Sequence, residues 1–299
     1  MEKERLKAVL ILLSVIIVLL FFAILLLEDK TKVSDSSKTL EQVMAPDIQK
    51  ESELIQDEHE YIQENVIESP KGVLYFVIDD VGNNIFQLKP FLDLPMRMTF
   101  AVLPGLKYTE EAVRLIIAAG KDYIIHQPME AIGGQNPGPG ALLVGMNEEQ
   151  VADIVTDNLK DYSRVRGMNN HMGSAGTADP GLMSILFKVL KEKDMYFLDS
   201  RTTSKSAGRE TAEAVGIPFA ERSIFLDNSK ERMAILEAVE NGLNVAEKRG
   251  HAIMIGHIWT EELADILLDL YPSLLENNYA LNNLTELFTG NEFDEDSWY

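Results

Sequence analysis

The residues best suited to chemistry are acidic and imidazole side chains that follow short apolar runs. Asp79 and Asp80 follow the first such run, and His126 ends a later one. His171 and His257 come at the ends of two more. Carboxylates and neutral imidazoles bind divalent metal ions, and both also accept and donate protons. The pattern therefore predicts a metal site with groups beside it that can transfer protons.

One carboxylate and two imidazoles would give a metal ion three protein ligands and leave a position open for water, as hydrolytic Zn²⁺ sites require. The second carboxylate of the adjacent pair would then be available as a general base. The chain has no cysteine, so a transition metal has only His, Asp and Glu as ligands. A structural alternative remains open for Asp79 and Asp80, because an aspartate at a strand end also commonly caps the following helix.

The elements that must position these residues are strands and helices in alternation. After Pro70, β-rich runs alternate with helical patterns, which is typical of a mostly parallel sheet covered by helices. The C-terminal ends of parallel strands meet at one mouth, so residues at those ends share a site. A helix is predicted at 148–164, and Asp227 is expected to help cap a long helix ending near Arg249. Strands are predicted at 73–78, 98–102, 123–126, 195–198, 223–226 and 252–255, with a further one before His171.

The N-terminal part of the chain predicts a membrane anchor. Residues 8–27 are apolar except for Ser14, about the length that crosses roughly 30 Å of hydrocarbon. The anchor is expected to stay uncleaved, with residues 1–7 as a basic cytoplasmic head and the rest of the chain outside the cytoplasm. Residues 28–70 are expected to form an acidic stalk, 71–290 a folded domain and 291–299 an acidic tail. The protein is thus predicted to span the membrane once.

The negative net charge of the chain bears on the class of macromolecule that it can bind. The formal net charge of −21 argues against nucleic-acid binding, which depends on clustered Lys and Arg.

The chain contains, in this order, the short motifs IDDVGN, AVLPG, IIHQPME, GMNNHMGS, FLDSRTT, IFLDN and IGH. Together they resemble the divergent polysaccharide deacetylase family, a branch of the NodB-like carbohydrate deacetylases. They run from about Gly72 to Phe288. The resemblance implies an α/β fold, a distorted (β/α) barrel of about seven strands. It also implies one divalent metal ion, expected to be Zn²⁺, and hydrolysis of an N-acetyl group on a cell-envelope glycan resembling peptidoglycan.

By this likeness, Asp79 takes the place of the catalytic base, and Asp80, His126 and His171 take those of the metal ligands. His257 would protonate the leaving amine. Trp259, which follows the last motif, would stack on a sugar ring or close the barrel mouth. The other residues expected to line the pocket or contact substrate are Glu130, Asn170, Asp199 and Arg201.

Two features depart from the family pattern. Ordinary members carry two histidines separated by three residues after one strand, whereas here Glu130 stands four positions after His126. His171 must therefore come from the next strand. Relatives also tend to carry a histidine shortly after the final GH, where this chain has Ile258 and Trp259. Two alternatives stay open: a barrel that binds a glycan or partner without catalysis, and a metal hydrolase that acts on another amide or ester.

Overall fold

The computed structural model describes residues 69–160, 162 and 165–289. Within these residues, no helix combines the length and the apolar character that crossing a membrane requires. The predicted head, anchor and tail, and the stalk up to residue 68, lie outside the described residues, as do residues 161, 163 and 164. Their predictions therefore stay predictions.

The described residues form one sheet of nine strands, all of which pair in parallel. The strands are β1 (Gly72–Val81), β2 (Thr99–Val102), β3 (Asp122–Met129), β4 (Gly167–Met172), β5 (Tyr196–Asp199), β6 (Phe219–Glu221), β7 (Ile224–Phe225), β8 (His251–His257) and β9 (Tyr279–Leu281). Their order is β6-β5-β4-β3-β2-β1-β8-β7, and β9 pairs with the start of β1. The predicted parallel α/β class is confirmed.

Helices connect the strands, and local signals set several of their ends. They are α1 (Ile85–Leu92), α2 (Thr109–Ala118), α3 (Glu148–Leu159), α4 (Pro180–Glu192), α5 (Gly208–Val215), α6 (Arg232–Arg249), α7 (Leu263–Glu276) and α8 (Glu286–Thr289). Asn147 and Gln150 form a capping box at the start of α3. Helix α3 ends at Leu159, earlier than predicted. Helix α6 ends at Arg249 and is capped by Gly250, whose φ of 83° is one that glycine adopts readily.

One extended stretch of chain brings the two ends of the sheet together. Strand β6 pairs with β5, whereas β7, two residues later, pairs with β8. The N–H of Arg222 donates to the carbonyl of Asp199 (2.9 Å), and the next N–H, of Ser223, donates to that of Ile253 (2.8 Å). The sheet therefore curls into a half-barrel whose ends share this stretch, which is consistent with the distorted barrel expected.

An apolar cluster fills the lower interior of the curled sheet. Tyr75 and Val77 of β1, Ile124 of β3 and Ile255 of β8 belong to this cluster, and Leu284 lies buried among them. The ring of Phe288 in α8 also packs there, stacked on Tyr196 with centroids 4.1 Å apart. A second and larger apolar cluster lies between the sheet and the surrounding helices.

The alternation of side chains along the strands places polar groups above this apolar floor. Successive side chains on a strand point to opposite faces, so residues two apart share a face. Asp79 follows Val77 on the interior face, His126 follows Ile124, and His257 follows Ile255 in the same way. The C-terminal mouth of the curled sheet therefore carries a carboxylate and two imidazoles.

Candidate metal centre

Two consecutive carboxylates reach the mouth because β1 is irregular at its end. The pairing register between β1 and β2 shifts between Ile78 and Val81, and Asp80 has a φ of 66°, in the left-handed region that non-glycine residues rarely adopt. In a regular strand, Asp79 and Asp80 would point to opposite faces. Here both carboxylates approach Nε2 of His126, Oδ2 of Asp79 at 3.7 Å and Oδ1 of Asp80 at 3.2 Å.

Asp80, His126 and His171, called the ligand triad below, bring three potential ligand atoms together. Oδ1 of Asp80 lies 2.9 Å from Nδ1 of His171 and 3.2 Å from Nε2 of His126. The two imidazole nitrogens are 3.2 Å apart. Ligand atoms around a tetrahedral ion with bonds of about 2.0–2.1 Å are separated by about 3.3 Å. The triad therefore has the spacing that one divalent ion requires.

The chemistry of the triad also fits a cation. Oδ1 of Asp80 is buried, and although both imidazole nitrogens lie within 3.2 Å of it, neither has the geometry of a hydrogen bond to it. Buried carboxylate oxygens normally have a partner, and a divalent ion bound by the neighbouring imidazoles would provide one. A carboxylate with two imidazoles is a donor set that suits Zn²⁺ and similar ions.

Asn169, on the same face of β4 as His171, fixes the orientation of the first imidazole. Its Oδ1 lies 2.7 Å from Nδ1 of His126, and its Nδ2 donates to Oδ1 of Asp79 at 2.9 Å and to Oγ of Ser200 at 3.2 Å. Because the amide oxygen can only accept, Nδ1 of His126 carries a proton, and Nε2 is the nitrogen whose lone pair a metal ion in the triad would take. Sequence reasoning gave Asn169 no role, although its position two residues before His171 places it on the interior face.

The electrostatic field of the site attracts positive charge. Burial acts to lower the pKa of His126, but Asp79 and Asp80 outweigh it and raise this pKa to about 9. Burial acts to raise the pKa of Asp80, but His126 and His171 hold it well below its ordinary range. For Asp79, burial prevails over the opposing effects of His126 and His257, and the pKa is raised. A metal ion and protons would therefore compete for the same atoms.

A third imidazole, His257, is held by a carboxylate that sequence reasoning assigned wrongly. Asp227 accepts from Nδ1 of His257 (2.9 Å), from its backbone N–H (2.9 Å) and from Oγ1 of Thr260 (2.5 Å). The predicted N-cap role of Asp227 is wrong, because α6 begins after Glu231 and Asp227 is fully occupied by these bonds. Burial acts to lower the pKa of His257, but the bond to Asp227 and nearby carboxylates raise it.

Trp259 lies at the rim of the site and contacts it directly. Its Nε1 donates to Oδ2 of Asp80 at 2.8 Å, and its ring stacks on His257 with centroids 4.8 Å apart. Nζ of Lys230 lies 4.5 Å from the centroid of the indole. With 36% of its surface exposed, Trp259 borders the mouth and is partly accessible to solvent.

Glu130 and Asn170 bond to nearby protein groups. The carboxylate of Glu130 accepts from the backbone N–H of Val144 at 2.8 Å. The carboxamide of Asn170 donates to the carbonyl of Met172 at 2.8 Å and accepts from the N–H of Ser200 at 2.9 Å. Both residues help to fix loops at the mouth, and their contact with substrate stays a prediction.

Asp199 and Arg201 are likewise held by protein partners. Asp199 is buried and accepts from the N–H of Arg201 (2.7 Å) and from Oγ of Ser206 (2.5 Å). Burial raises its pKa against these bonds. Nη1 of Arg201 lies 3.4 Å from a carboxylate oxygen of Glu221. The substrate contacts expected of these two residues also stay predictions.

The region that contains the site matches a known protein family. A family model described as divergent polysaccharide deacetylase matches residues 76–288, a range that contains the ligand triad, Asp79 and the Asp227–His257 pair.

Two relatives share the sequence of this region, and both are uncharacterized proteins. One, from Haemophilus influenzae, is 38% identical over 184 residues, which are 62% of this chain and 66% of that protein. The other, YibQ of Escherichia coli, is 28% identical over 186 residues, which are 62% of this chain and 58% of that protein. The match thus spans less than two thirds of each relative.

The fold is also similar to the crystal structure of an uncharacterized protein from Agrobacterium tumefaciens C58. The TM-score is 0.70 and the identity 18%, and the match covers 74% of this chain and 90% of that one. At this level of identity the likeness shows the fold alone.

Proposed function

The chain belongs to the divergent polysaccharide deacetylase family, and on this premise we propose that it is a metal-dependent hydrolase that removes N-acetyl groups from a cell-envelope glycan. The observation that carries the proposal is the convergence of the ligand triad, whose three facing atoms lie within 3.2 Å of one another. A buried carboxylate and a third imidazole border the triad, so the mouth holds metal ligands, a base and an acid together.

Asp79 is suited to act as the base. A divalent ion bound by the triad would polarise the acetyl carbonyl and lower the pKa of a water molecule, with Zn²⁺ as the expected ion. Asn169 occupies Oδ1 of Asp79, which leaves Oδ2 turned toward the triad, 3.7 Å from Nε2 of His126. Because burial raises the pKa of Asp79, this oxygen is a better proton acceptor than an ordinary aspartate.

His257 is suited to act as the acid. Asp227 holds Nδ1, so Nε2 is the nitrogen that remains for the substrate. His257 pairs with Asp79 across β8 and β1, which places acid and base on neighbouring strands. In the proposed hydrolysis the water proton passes to Asp79, the C–N bond breaks as the C–O bond forms, and His257 donates its proton to the leaving amine. The products are acetate and a free amino sugar.

Trp259 and the predicted anchor favour a glycan of the cell envelope as substrate. The partly exposed indole beside the ligands offers aromatic surface of the kind that packs against sugar rings. A domain tethered outside the cytoplasm would stay close to N-acetylated glycan, which is the location proposed for it.

Release of acetate tests the proposal. The full-length protein, purified without chelators and supplied with Zn²⁺, should release acetate from a defined N-acetylated glycan oligomer. Asp79→Asn should keep the ion and lose activity by about 10²- to 10⁴-fold, the usual contribution of a general base. Asn147→Asp, at the exposed cap of α3, keeps its capping function and serves as the control that should stay active.

Other outcomes separate the alternatives. If the metal-loaded protein cleaves acetylated peptides or small esters but no glycan, the same chemistry serves another substrate. If it cleaves none of these and Asp79→Asn still complements a deletion strain, the domain is a binding module and the hydrolase proposal is wrong.

A further inference from the structure

The imidazole of His257 belongs to a stack of aromatic rings. Its ring centroid lies 5.6 Å from that of Phe225, with an angle of 27° between the two planes. The centroid of Trp259 lies 4.8 Å from it, and the angle between those planes is 21°. The guanidinium carbon of Arg222 is 3.7 Å from the centroid of Phe225. Nζ of Lys230 is 4.5 Å from that of Trp259, so each ring beside the imidazole also has a cation over it.

The strand order places the two rings on opposite sides of the imidazole. Strand β8, which ends at His257, lies between β7 and β1. Phe225 belongs to β7 and pairs with Ile255, which precedes His257 by two residues on the same face of β8. The indole of Trp259 extends the other way, because its Nε1 donates to Asp80 at the end of β1. Phe225 therefore approaches the imidazole from the β7 side and Trp259 from the β1 side.

The ring of Phe225 is itself held in place. It is half-buried and packs against the apolar cluster inside the curled sheet. Arg222, which lies over it, donates from Nε to the carbonyl of Ser200 at 2.7 Å and from Nη2 to that of Arg201 at 3.2 Å. A guanidinium bound to two backbone carbonyls is fixed in orientation, and its attraction to the aromatic face keeps the ring beneath it. Phe225 therefore offers a fixed, flat surface to its neighbour.

This surface completes the set of contacts that orient the imidazole. Asp227 accepts from Nδ1 of His257 at 2.9 Å, which fixes one atom of the ring. A single hydrogen bond tolerates some tilt of the donor. Near-parallel rings close to both faces of the imidazole oppose this tilt, because a tilted ring would collide with one of them. The direction of Nε2 is therefore set by Asp227, Phe225 and Trp259 together.

We infer that Phe225 is a positioning residue for the proposed acid: its ring keeps Nε2 of His257 directed at the leaving nitrogen of the substrate. The effect on rate rests on the proposed hydrolysis, in which this proton passes to the leaving amine as the C–N bond breaks. An imidazole that is free to tilt spends less time in the geometry for transfer. The loss should therefore fall on the chemical step and not on substrate binding.

Kinetics with two substrates test the role in catalysis. The full-length protein, supplied with Zn²⁺, is assayed on an N-acetylated glycan oligomer, whose amine leaves with a proton, and on p-nitrophenyl acetate, whose phenolate leaves without one. Phe225→Leu keeps an apolar side chain but loses the flat ring. Its kcat for the glycan should fall by about tenfold, a part of the 10²- to 10⁴-fold that a general acid contributes, with KM changed by less than about twofold. Its kcat for the ester should stay unchanged, and Phe225→Tyr should restore the glycan rate.

NMR relaxation of the imidazole tests the positioning without any activity. The order parameters of the two ring C–H groups of His257, assigned with a His257→Gln variant, report how far the ring moves. They should fall in Phe225→Leu and return in Phe225→Tyr. Phe219→Leu is the matched control, because Phe219 is also half-buried and has the guanidinium carbon of Arg209 at 5.8 Å, but stacks on Phe197. It should leave the His257 ring and the glycan kcat unchanged.

The outcomes separate this inference from the proposed function. A wild type that releases no acetate from the glycan refutes the proposed hydrolysis alone, and the relaxation of His257 still decides whether Phe225 positions the ring. Order parameters that stay the same in Phe225→Leu, or that fall equally in Phe219→Leu, would overturn the inference. Equal losses of kcat for the glycan and the ester would also overturn it.

Discussion

Asn169→Ala removes the carboxamide that joins Asp79, the proposed base, to His126, a proposed metal ligand. The buried side chain makes three hydrogen bonds, to His126, Asp79 and Ser200, and alanine makes none. Each buried group left without a partner costs about 1–3 kcal/mol, so with three such groups the free energy of unfolding should fall by at least about 3 kcal/mol. The imidazole of His126 also loses the acceptor that fixes its tautomer. Loss of such a partner typically weakens metal binding by about 10- to 100-fold, or roughly 1.4–2.7 kcal/mol.

The assay is competition for Zn²⁺ between the full-length protein and a chromophoric chelator at pH 7. Asn158→Ala is the matched control, because Asn158 is also a buried carboxamide and bonds to Gln127 and Gly140 at 2.8 and 2.9 Å, away from the triad. It should lower stability and leave Zn²⁺ affinity unchanged. If Asn169→Ala binds Zn²⁺ as tightly as the wild type, or if both variants lose affinity equally, the positioning role of Asn169 is refuted.

Three further changes give separate predictions. Asp227→Asn removes the carboxylate that stabilises the imidazolium of His257, so the pKa of this imidazole should fall. The alkaline limb of the pH–rate profile should then move to lower pH. If the pKa of His257 measured by NMR titration is the same in the variant and the wild type, this prediction is contradicted. Gly167→Ala places a Cβ against the ring of Tyr196 in the apolar cluster inside the curled sheet, and the free energy of unfolding should fall by about 1–3 kcal/mol, measured as a lower Tm. An unchanged Tm would show that Tyr196 can move to accommodate the added methyl group. Trp259→Phe keeps an aromatic ring stacked on His257 but removes the N–H that donates to Asp80, so Zn²⁺ affinity should fall by about two- to tenfold. Equal affinities of the variant and the wild type would show that this hydrogen bond does not contribute to metal binding.

The positions of the triad residues could be predicted because strand ends are visible in the sequence. Apolar runs locate the strands, and parallel pairing brings their C-terminal ends to one mouth. Asp80, His126 and His171 do meet there, although they are far apart along the chain. What the pattern could not give is the backbone irregularity at Asp80, because a left-handed residue leaves no composition signal when it is not glycine.

The groups that orient the site were harder to predict. Asn169 is one of two consecutive asparagines, and only the strand register shows that it, and not Asn170, faces His126. Asp227 lies shortly before a helix, which suggested a cap. Its partner His257 comes 30 positions later, and the two residues lie side by side only because β7 pairs with β8. Long-range pairing of this kind has no local sequence signature.

The ends of the sheet were also beyond the sequence pattern. One strand was predicted at 223–226, where β7 pairs with β8, whereas β6 at Phe219–Glu221, which pairs with β5, was not predicted. The strands β6 and β7 are short, and Glu221 and Arg222 interrupt the apolar residues of this stretch, so hydrophobic periodicity is weak there.

The most direct measurement is the metal content of the full-length protein purified without chelators. The account predicts one divalent ion per chain in the wild type, and its loss in Asp80→Ala, which removes the carboxylate shared by both imidazoles. A wild-type protein that binds no divalent ion even after incubation with Zn²⁺, or an Asp80→Ala variant that keeps a full equivalent, would contradict it.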